Sequence, residues 1–455
     1  MTASVRNPAR TRRRVASARP GRWPGLSVAL ATTLAVSGCT AEAQPPPPPK
    51  STTAPVAGSA AACVTDPQHV AASEDTQSTD SMPQERAAGF ATAVDAVFAQ
   101  VQADAPAVVV GVRSPEGTWT KAYGVADLVT GAAAEVDMHH RIGSVTKTFV
   151  STALLQLVDR GELSLDDPID DYVPNVPNGT RITLGELVGM TSGLPDYQDE
   201  PGFFPTWLAD PESASTTDEL LAAAWTLPPL FPPGSDMFYS NTNFVLVGLA
   251  IEQVTGDPLD EVIADQILDP LNLDSTTLPT TTAYPAPRLN GYSTLPNALI
   301  GATPSNRWVD VTDWNPARYG AAGAMTSRMD DLLTWGRVVA TGQGVLSAST
   351  QVQRLESFGS SSLGPGDFYG YGLMCKDGWL GHAGTYMGYN TNLVYHPDID
   401  TTIVVEATGG DASSTPPRLV VIQALTSALA EIAGQAYTPG LVPPALQFQE
   451  LVPEL

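Results

Sequence analysis

Strand signals mark the two ends of the ordered part of this chain and helical signals fill the stretch between them. That arrangement restricts the fold more than any other feature. Ala107 to Val112 is a short β-branched run, Ser114-Pro115-Glu116-Gly117 has turn chemistry, and Thr118 to Tyr123 alternates, so together they read as a hairpin. Near the other end, Asn392 to Tyr395 and Thr402 to Ala407 read as strands joined by a turn at Pro397-Asp398-Ile399-Asp400. Between about residues 150 and 316 lie helices and long proline-bearing loops. The helical candidates are Gly185 to Met190, Thr217 to Trp225, Phe244 to Val254, and Asp260 to Leu268, the last stopped by Pro270. Beyond Gly320 comes the helical run Asp330 to Val339, and Leu419 to Ile432 is a closing amphipathic helix. Pro83 suits a first helical turn, after which Phe90, Val94, Val97, Phe98 and Val101 share one face. The expectation is an α+β domain over residues 83–436, with one sheet assembled from both ends (about 83–143 and 318–436) and a helical part between (about 144–317).

A chain of 455 residues can bury a large core in one big domain or two modest ones, and 8 Trp with 13 Tyr exclude wholesale disorder. The formal charge is −25, and residues 1–38 hold seven arginines and no acid, so without them the body carries −32. So acidic a body repels nucleic acid, which excludes nucleic-acid binding. Residues 1–38 read as an export signal, with a basic region through Arg22 followed by an apolar segment from Leu26 to Val36, too short to stay as a membrane span. The segment ends in Val36-Ser37-Gly38-Cys39, which resembles a bacterial lipobox, so Cys39 is expected to carry the lipid that anchors the protein to the outer face of the cell membrane. Residues 39–82 are rich in Pro, Ala, Ser, Thr and Gln, with a run from Pro45 to Pro49, and read as a solvated tether without secondary structure. Residues 437–455 read as a loose tail.

The chemistry centres on Gly143-Ser144-Val145-Thr146-Lys147-Thr148-Phe149. Ser144 and Lys147 are one helical turn apart and share a face. A helix beginning near Ser144 would also turn backbone N–H groups towards a developing anion. A serine hydroxyl is a weak nucleophile until a base takes its proton, and a lysine is such a base once burial lowers its pKa. Val145, Phe149, Leu154, Leu155, Leu157 and Val158 imply that this helix is buried, a costly place for an idle ammonium. Lysine is also rare here, the others being Lys50, Lys121 and Lys376.

Two later stretches supply partners. Tyr239 and Asn241, two apart just before a helix, can point the same way. Tyr239 can relay a proton between Ser144 and a leaving group, as a phenolate or through protons shared with Lys147, and Asn241 can hold Lys147 or a substrate amide. Gly381-His382-Ala383-Gly384-Thr385 suits a strand bordering the site, where its edge can bind substrate backbone and the N–H of Thr385 can join that of Ser144 in an oxyanion hole.

S-x-x-K, Y-S-N and H-x-G in this order and at these separations resemble the class C β-lactamase and D-alanyl-D-alanine carboxypeptidase family of serine hydrolases. Gly124-Val-Ala-Asp, Thr191-Ser-Gly-Leu, Pro270-Leu-Asn-Leu and Ala322-Gly-Ala are similar to its landmarks, and the likeness runs from about Arg86 to Ile432. It implies a β-lactamase/transpeptidase-like fold, an antiparallel sheet flanked by helices plus a helical subdomain, with the site between them. It also implies an acyl-enzyme on Ser144, acid–base work shared by Lys147 and Tyr239, and a substrate site formed by Asn241, His382, Ala383, Gly384 and Thr385. Lys376 falls where the carboxypeptidase branch has an arginine for the substrate's terminal carboxylate. Three departures bear on the substrate: Ala383 replaces a threonine, Lys376 lacks the guanidinium fork, and Met190 stands where histidine often precedes Thr-Ser-Gly. No cofactor is implied, and without H-E-x-x-H or C-x-x-C no metal is expected. With Cys39 lipidated, Cys63 and Cys375 remain, and export permits a disulfide between them.

The reading is an exported serine hydrolase of D-alanyl-D-alanine carboxypeptidase type acting on cell-wall peptides or related amides. An esterase or β-lactamase on the same machinery, and a non-catalytic lipoprotein that binds cell-wall peptide, stand as alternatives.

Overall fold

The computed structural model describes residues 63–294, 308–360, 366–409 and 419–439. Three strands come from the N-terminal part: β1 (Ala107–Ser114), β2 (Gly117–Asp127) and β3 (Ala132–Ala133). Six come from the C-terminal part: β4 (Gly359–Ser360), β5 (Asp367–Tyr369), β6 (Met374–Lys376), β7 (Trp379–Tyr386), β8 (Tyr389–His396) and β9 (Thr401–Thr408). They form one antiparallel sheet in the order β3-β2-β1-β9-β8-β7-β6-β5-β4. The two halves meet where β1 pairs with β9, from Val108 opposite Ala407 to Arg113 opposite Thr402.

Six helices position the rest: α1 (Pro67–Ala72), α2 (Gln84–Val101), α3 (Thr146–Asp159), α4 (Asn241–Thr255), α5 (Met329–Thr341) and α6 (Leu419–Ala433). Val108, Val110 and Val112 of β1, with Ile403 and Val405 of β9, point to one face of the sheet and pack with Phe90 and Val94 of α2 and Ile422, Leu425 and Leu429 of α6. Val109 and Val404 point to the other face, towards α5 and α3. A strand buried on both faces needs an unbroken apolar run rather than alternation, which is why β1 and β9 are so rich in Val and Ile; each such side chain contributes roughly 1.5–3 kcal/mol by leaving water. Gly111 lets α5 approach closely, since a Cβ there would lie 2.4 Å from the sulfur of Met329.

In the helical part, Thr183 with Glu186 and Thr216 with Glu219 form capping boxes that start the short helices Leu184–Val188 and Thr217–Ala224. Gly256, at φ 75°, ends α4 in the left-handed conformation. Pro270 does not stop its helix as expected. A wide π turn over Ala264–Leu268 absorbs the break, Pro270 sits in the first turn of Asp269–Leu271, where its missing N–H is tolerated, and Asn272 at φ 54° ends the run.

The expected tether is corrected over residues 63–82, which are docked on the domain. Asp66 caps α1, Thr76 donates to Asp400 through both its N–H and its hydroxyl at 2.7 Å, and Gln77 donates to Thr402 Oγ1 at 3.0 Å. Cys63 is disulfide-bonded to Cys375 on β6. Val64, Val70, Ala71 and Met82 are buried against the domain, but these few apolar residues are scattered through a Ser/Thr/Asp-rich stretch and show no sustained periodicity. At the far end Tyr437 is packed rather than loose, its hydroxyl 3.2 Å from Asn392 Nδ2. The expected signal, Cys39, residues 39–62 of the tether and residues 440–455 of the tail lie outside the described residues.

The disulfide closes a loop of more than 300 residues, so Cys63→Ser is expected to lower the urea-unfolding free energy by about 2–5 kcal/mol. The reactivity of Ser144 should be unchanged, because the bridge lies towards the opposite end of β7; equal stability of the variant would show that residues 63–82 dock without it.

Candidate active site

The site is built where the start of α3 touches β7. A single tight turn, Gly143–Val145, leads into α3, so the backbone N–H of Ser144 has no partner in a preceding helical turn. Gly143 adopts φ 53°, and a Cβ there would lie 2.6 Å from the backbone nitrogen of Thr385. Gly384 answers it from the strand: a Cβ there would lie 1.9 Å from the carbonyl oxygen of Ile142 and 3.1 Å from the nitrogen of Ser144. Turn and strand therefore meet backbone to backbone, which only two opposed glycines permit. On β7, β6 pairs only with Trp379 to Gly381, so from His382 onward β7 has no strand partner on that side among the described residues and presents an edge there. Thr385 lies opposite Asn390, one place in from the two-residue Met387-Gly388 turn. That makes it a wide pair, whose N–H points away from β8, on the side where the Gly143 turn meets the strand. The nitrogens of Ser144 and Thr385 thus both lie at this backbone-to-backbone contact.

Within this frame Lys147 is fully buried, and its amine lies 3.0 Å from Ser144 Oγ, 2.8 Å from Asn241 Oδ1 and 2.7 Å from the carbonyl oxygen of Ala322. Burial pushes the ammonium down to about 7, opposed by the negative charge of Asp196. Asn241 opens α4, and both its N–H and its side-chain NH2 donate to Asp196 Oδ2, at 2.9 and 2.7 Å. Tyr239 precedes that helix, faces Ser144 and places its ring centroid 4.8 Å from the Lys147 nitrogen. Burial raises its phenol above the ordinary range, so of the two expected forms the neutral phenol suits this environment and the phenolate does not.

His382 is buried, accepts or donates at 3.2 Å with the Tyr369 hydroxyl, and is pushed down to about 3 by burial and then by Lys147, so it is uncharged. The Tyr369 ring stands edge-on to Tyr239 at 5.8 Å and to His382 at 5.7 Å, bracing both. Met190, which stands in for a histidine, accepts through its sulfur from the N–H of Ser240 and from Asn243 Nδ2, holding the loop that carries Tyr239.

The structure brings Ser144, Lys147, Tyr239, Asn241, His382, Gly384 and Thr385 together. Ala383 turns its methyl to the layer of α2 and α6, so it borders the site through backbone only. Lys376 is corrected: it pairs opposite Trp379, six residues or about 20 Å along β7 from Thr385, and its ammonium is held by Asp367. Asp196, Tyr369, the part played by the Ala322 carbonyl and the role of Gly143 escaped sequence reasoning. Only the positive-φ preference of glycine could have hinted at the last.

A family model described as Beta-lactamase matches residues 94–424, most of the chain. A D-stereospecific amidohydrolase from Streptomyces sp. superposes with a TM-score of 0.63 at 32% identity, over 70% of this chain and 94% of that one. Esterase EstB of Burkholderia gladioli is 29% identical over 66% of this chain and 84% of its own length, and Penicillin-binding protein 4 of Amycolatopsis lactamdurans 28% over 71% and 85%. Other curated relatives are longer: the chain spans 41% of Unguisins hydrolase ungD of Aspergillus violaceofuscus and 56% of Protein flp of Staphylococcus aureus. Matched family, superposed fold and the converging Ser144–Lys147–Tyr239 geometry agree, and the chain belongs to the Beta-lactamase family, with the β-lactamase/transpeptidase-like fold of its serine hydrolases.

Proposed function

We propose that this protein cleaves amides or esters of D-configured acyl groups through an acyl-enzyme on Ser144. The observation that carries the proposal is the buried Lys147 amine, 3.0 Å from the Ser144 hydroxyl and with an amine pKa pushed down to about 7. In its neutral form Lys147 takes the Ser144 proton as Oγ attacks the acyl carbon, and the N–H groups of Ser144 and Thr385 hold the oxyanion. The Tyr239 hydroxyl, beside Ser144, passes a proton to the leaving nitrogen or oxygen. Water then enters along the same proton path and releases the acid.

The choice of substrate rests on charge. A carboxypeptidase must hold the terminal carboxylate of its leaving residue, and Lys376 is engaged by Asp367 far along the strand. Arg141, Arg318 and Arg354 are at most 5% exposed. A leaving group without a carboxylate suits such a site, and the likeness to the D-stereospecific amidohydrolase favours D-configuration on the acyl side. The free edge of β7 favours a second reading, an extended cell-wall peptide of the D-alanyl-D-alanine kind bound through its backbone. An idle peptide binder has no use for a lysine desolvated against a serine. Location follows the export signal and lipobox at Cys39, and the Cys63–Cys375 disulfide suits a compartment outside the cytoplasm.

Two outcomes follow. The kcat/KM for a neutral D-amino-acid amide should rise with pH through about 7, because only the deprotonated amine is a base, and Lys147→Arg should lose at least about 100-fold at every pH; an acid limb near 4 would remove Lys147 as the base. Of one D-alanyl-D-alanine peptide made with a free C-terminal carboxylate and with a C-terminal amide, the amide should be cleaved at least as fast. A preference of about tenfold or more for the carboxylate would restore the carboxypeptidase reading.

A further inference from the structure

The hydrogen-bond pattern around Asn241 contains a constraint on the direction of the Lys147 lone pair. A neutral amine has two N–H bonds and one lone pair. Lys147 has three neighbours: the Ala322 carbonyl, which can only accept, the Ser144 hydroxyl, and the Asn241 side chain. An amide side chain can present either its oxygen or its NH2 to the amine, and the two have opposite consequences. With oxygen towards Lys147, both N–H bonds are taken by Ala322 and Asn241, and the lone pair is left for the Ser144 proton. With NH2 towards Lys147, Asn241 donates into the lone pair, and Ser144 loses its base.

We propose that Asp196 is the positioning residue that makes this choice: a buried carboxylate that takes the Asn241 NH2 and so turns the amide oxygen to Lys147. Asp196 is 1% exposed, and all three of its hydrogen bonds are received ones. Its Oδ2 takes the N–H and NH2 of Asn241 at 2.9 and 2.7 Å, and its Oδ1 takes the N–H of Gln198 at 2.9 Å. Burial raises the Asp196 carboxyl, and the hydrogen bonds it receives from Asn241 and Gln198, with the Lys147 charge, oppose that rise; as a carboxylate it has no proton to offer, so it holds the amide in one orientation and α4 in one register. The groups facing the Asp196–Lys147 pair are Tyr197 and Asp199 on the same turn, Tyr239 before α4, Tyr319, and His382 of β7. Burial keeps the three phenols and the imidazole uncharged. Asp199, the one other carboxyl among the described residues facing the pair, is pushed up to about 7 by partial desolvation of its carboxyl and then by the charge of Asp196.

The test rests on the acyl-transfer reading, so the wild-type protein is measured first: if it forms no acyl-enzyme on Ser144, that reading fails before Asp196 is tested. In Asp196→Asn the side chain can also donate, and the amide of Asn241 is free to turn. The acylation rate is expected to fall about 100-fold, and the acid limb of kcat/KM to move down by about one pH unit, because the charge that favours the Lys147 ammonium is gone. Asp196→Glu, which keeps an acceptor-only group, should recover part of the rate and return the limb towards the wild-type position. Asp199→Asn should leave the limb in place, and an equal shift there would assign the effect to general charge and overturn the proposal. Should Asp196→Asn not fold, Asn241→Ala carries the test: it should lose a similar factor in rate without the downward shift, since Asp196 remains charged. Wild-type acylation in either variant would overturn the proposal.

Discussion

The structure depends on the removal of one amine from water. A buried lysine resists protonation, and that resistance is the source of its use as a base. The surrounding fold is arranged to keep Lys147 dry without leaving it unsatisfied. α3 buries twelve consecutive residues, Thr146 to Leu157, and the ring faces of Tyr239 and Phe244 lie 4.8 and 5.5 Å from the amine. A carbonyl oxygen, an amide oxygen and the nucleophile take its three directions. Removing any of these without replacement would leave a desolvated amine short of a partner, which costs more than an ordinary hydrogen bond contributes.

The same economy of space governs the oxyanion hole. The groups proposed to stabilise charge are backbone N–H groups, so they are placed by main-chain geometry rather than by side-chain identity. Gly143 in the left-handed region and Gly384 on the strand let two backbones touch, and the free edge of β7 follows from how short β6 is. The sheet built from both ends of the chain is what brings this about. β7 arrives from the C-terminal half to meet a turn from the N-terminal half, and the helical part delivers Tyr239 and Asn241 from a third direction.

Much of the fold was legible because period-2 and period-3.6 patterns report local burial. β1, β2, β8, β9, α2, α5 and α6 all stand close to where periodicity put them. The segment 63–82 was not legible, since it is held by Thr76, Gln77, a disulfide and only four scattered buried apolar residues, too few to set a period. Pro270 misled because a π turn relieves the constraint that normally ends a helix. At the site, spacing singled out Ser144 with Lys147 and Tyr239 with Asn241 as candidates, since the members of each pair are close in sequence, and it took the three motifs in register to join them. Asp196 was invisible, because its partner is 45 positions away and nothing in its neighbours announces burial. Lys376 was misplaced because position along a strand, not residue type, decides whether a cation reaches the nucleophile.

The most direct test of the account is the intact mass of the purified protein against time after mixing with an activated D-acyl ester, followed by peptide mapping. One added acyl group on the peptide carrying Ser144, formed and then lost as product appears, and absent from Ser144→Ala, is the predicted result. Unchanged turnover in Ser144→Ala, or a label that maps to another residue, would contradict it.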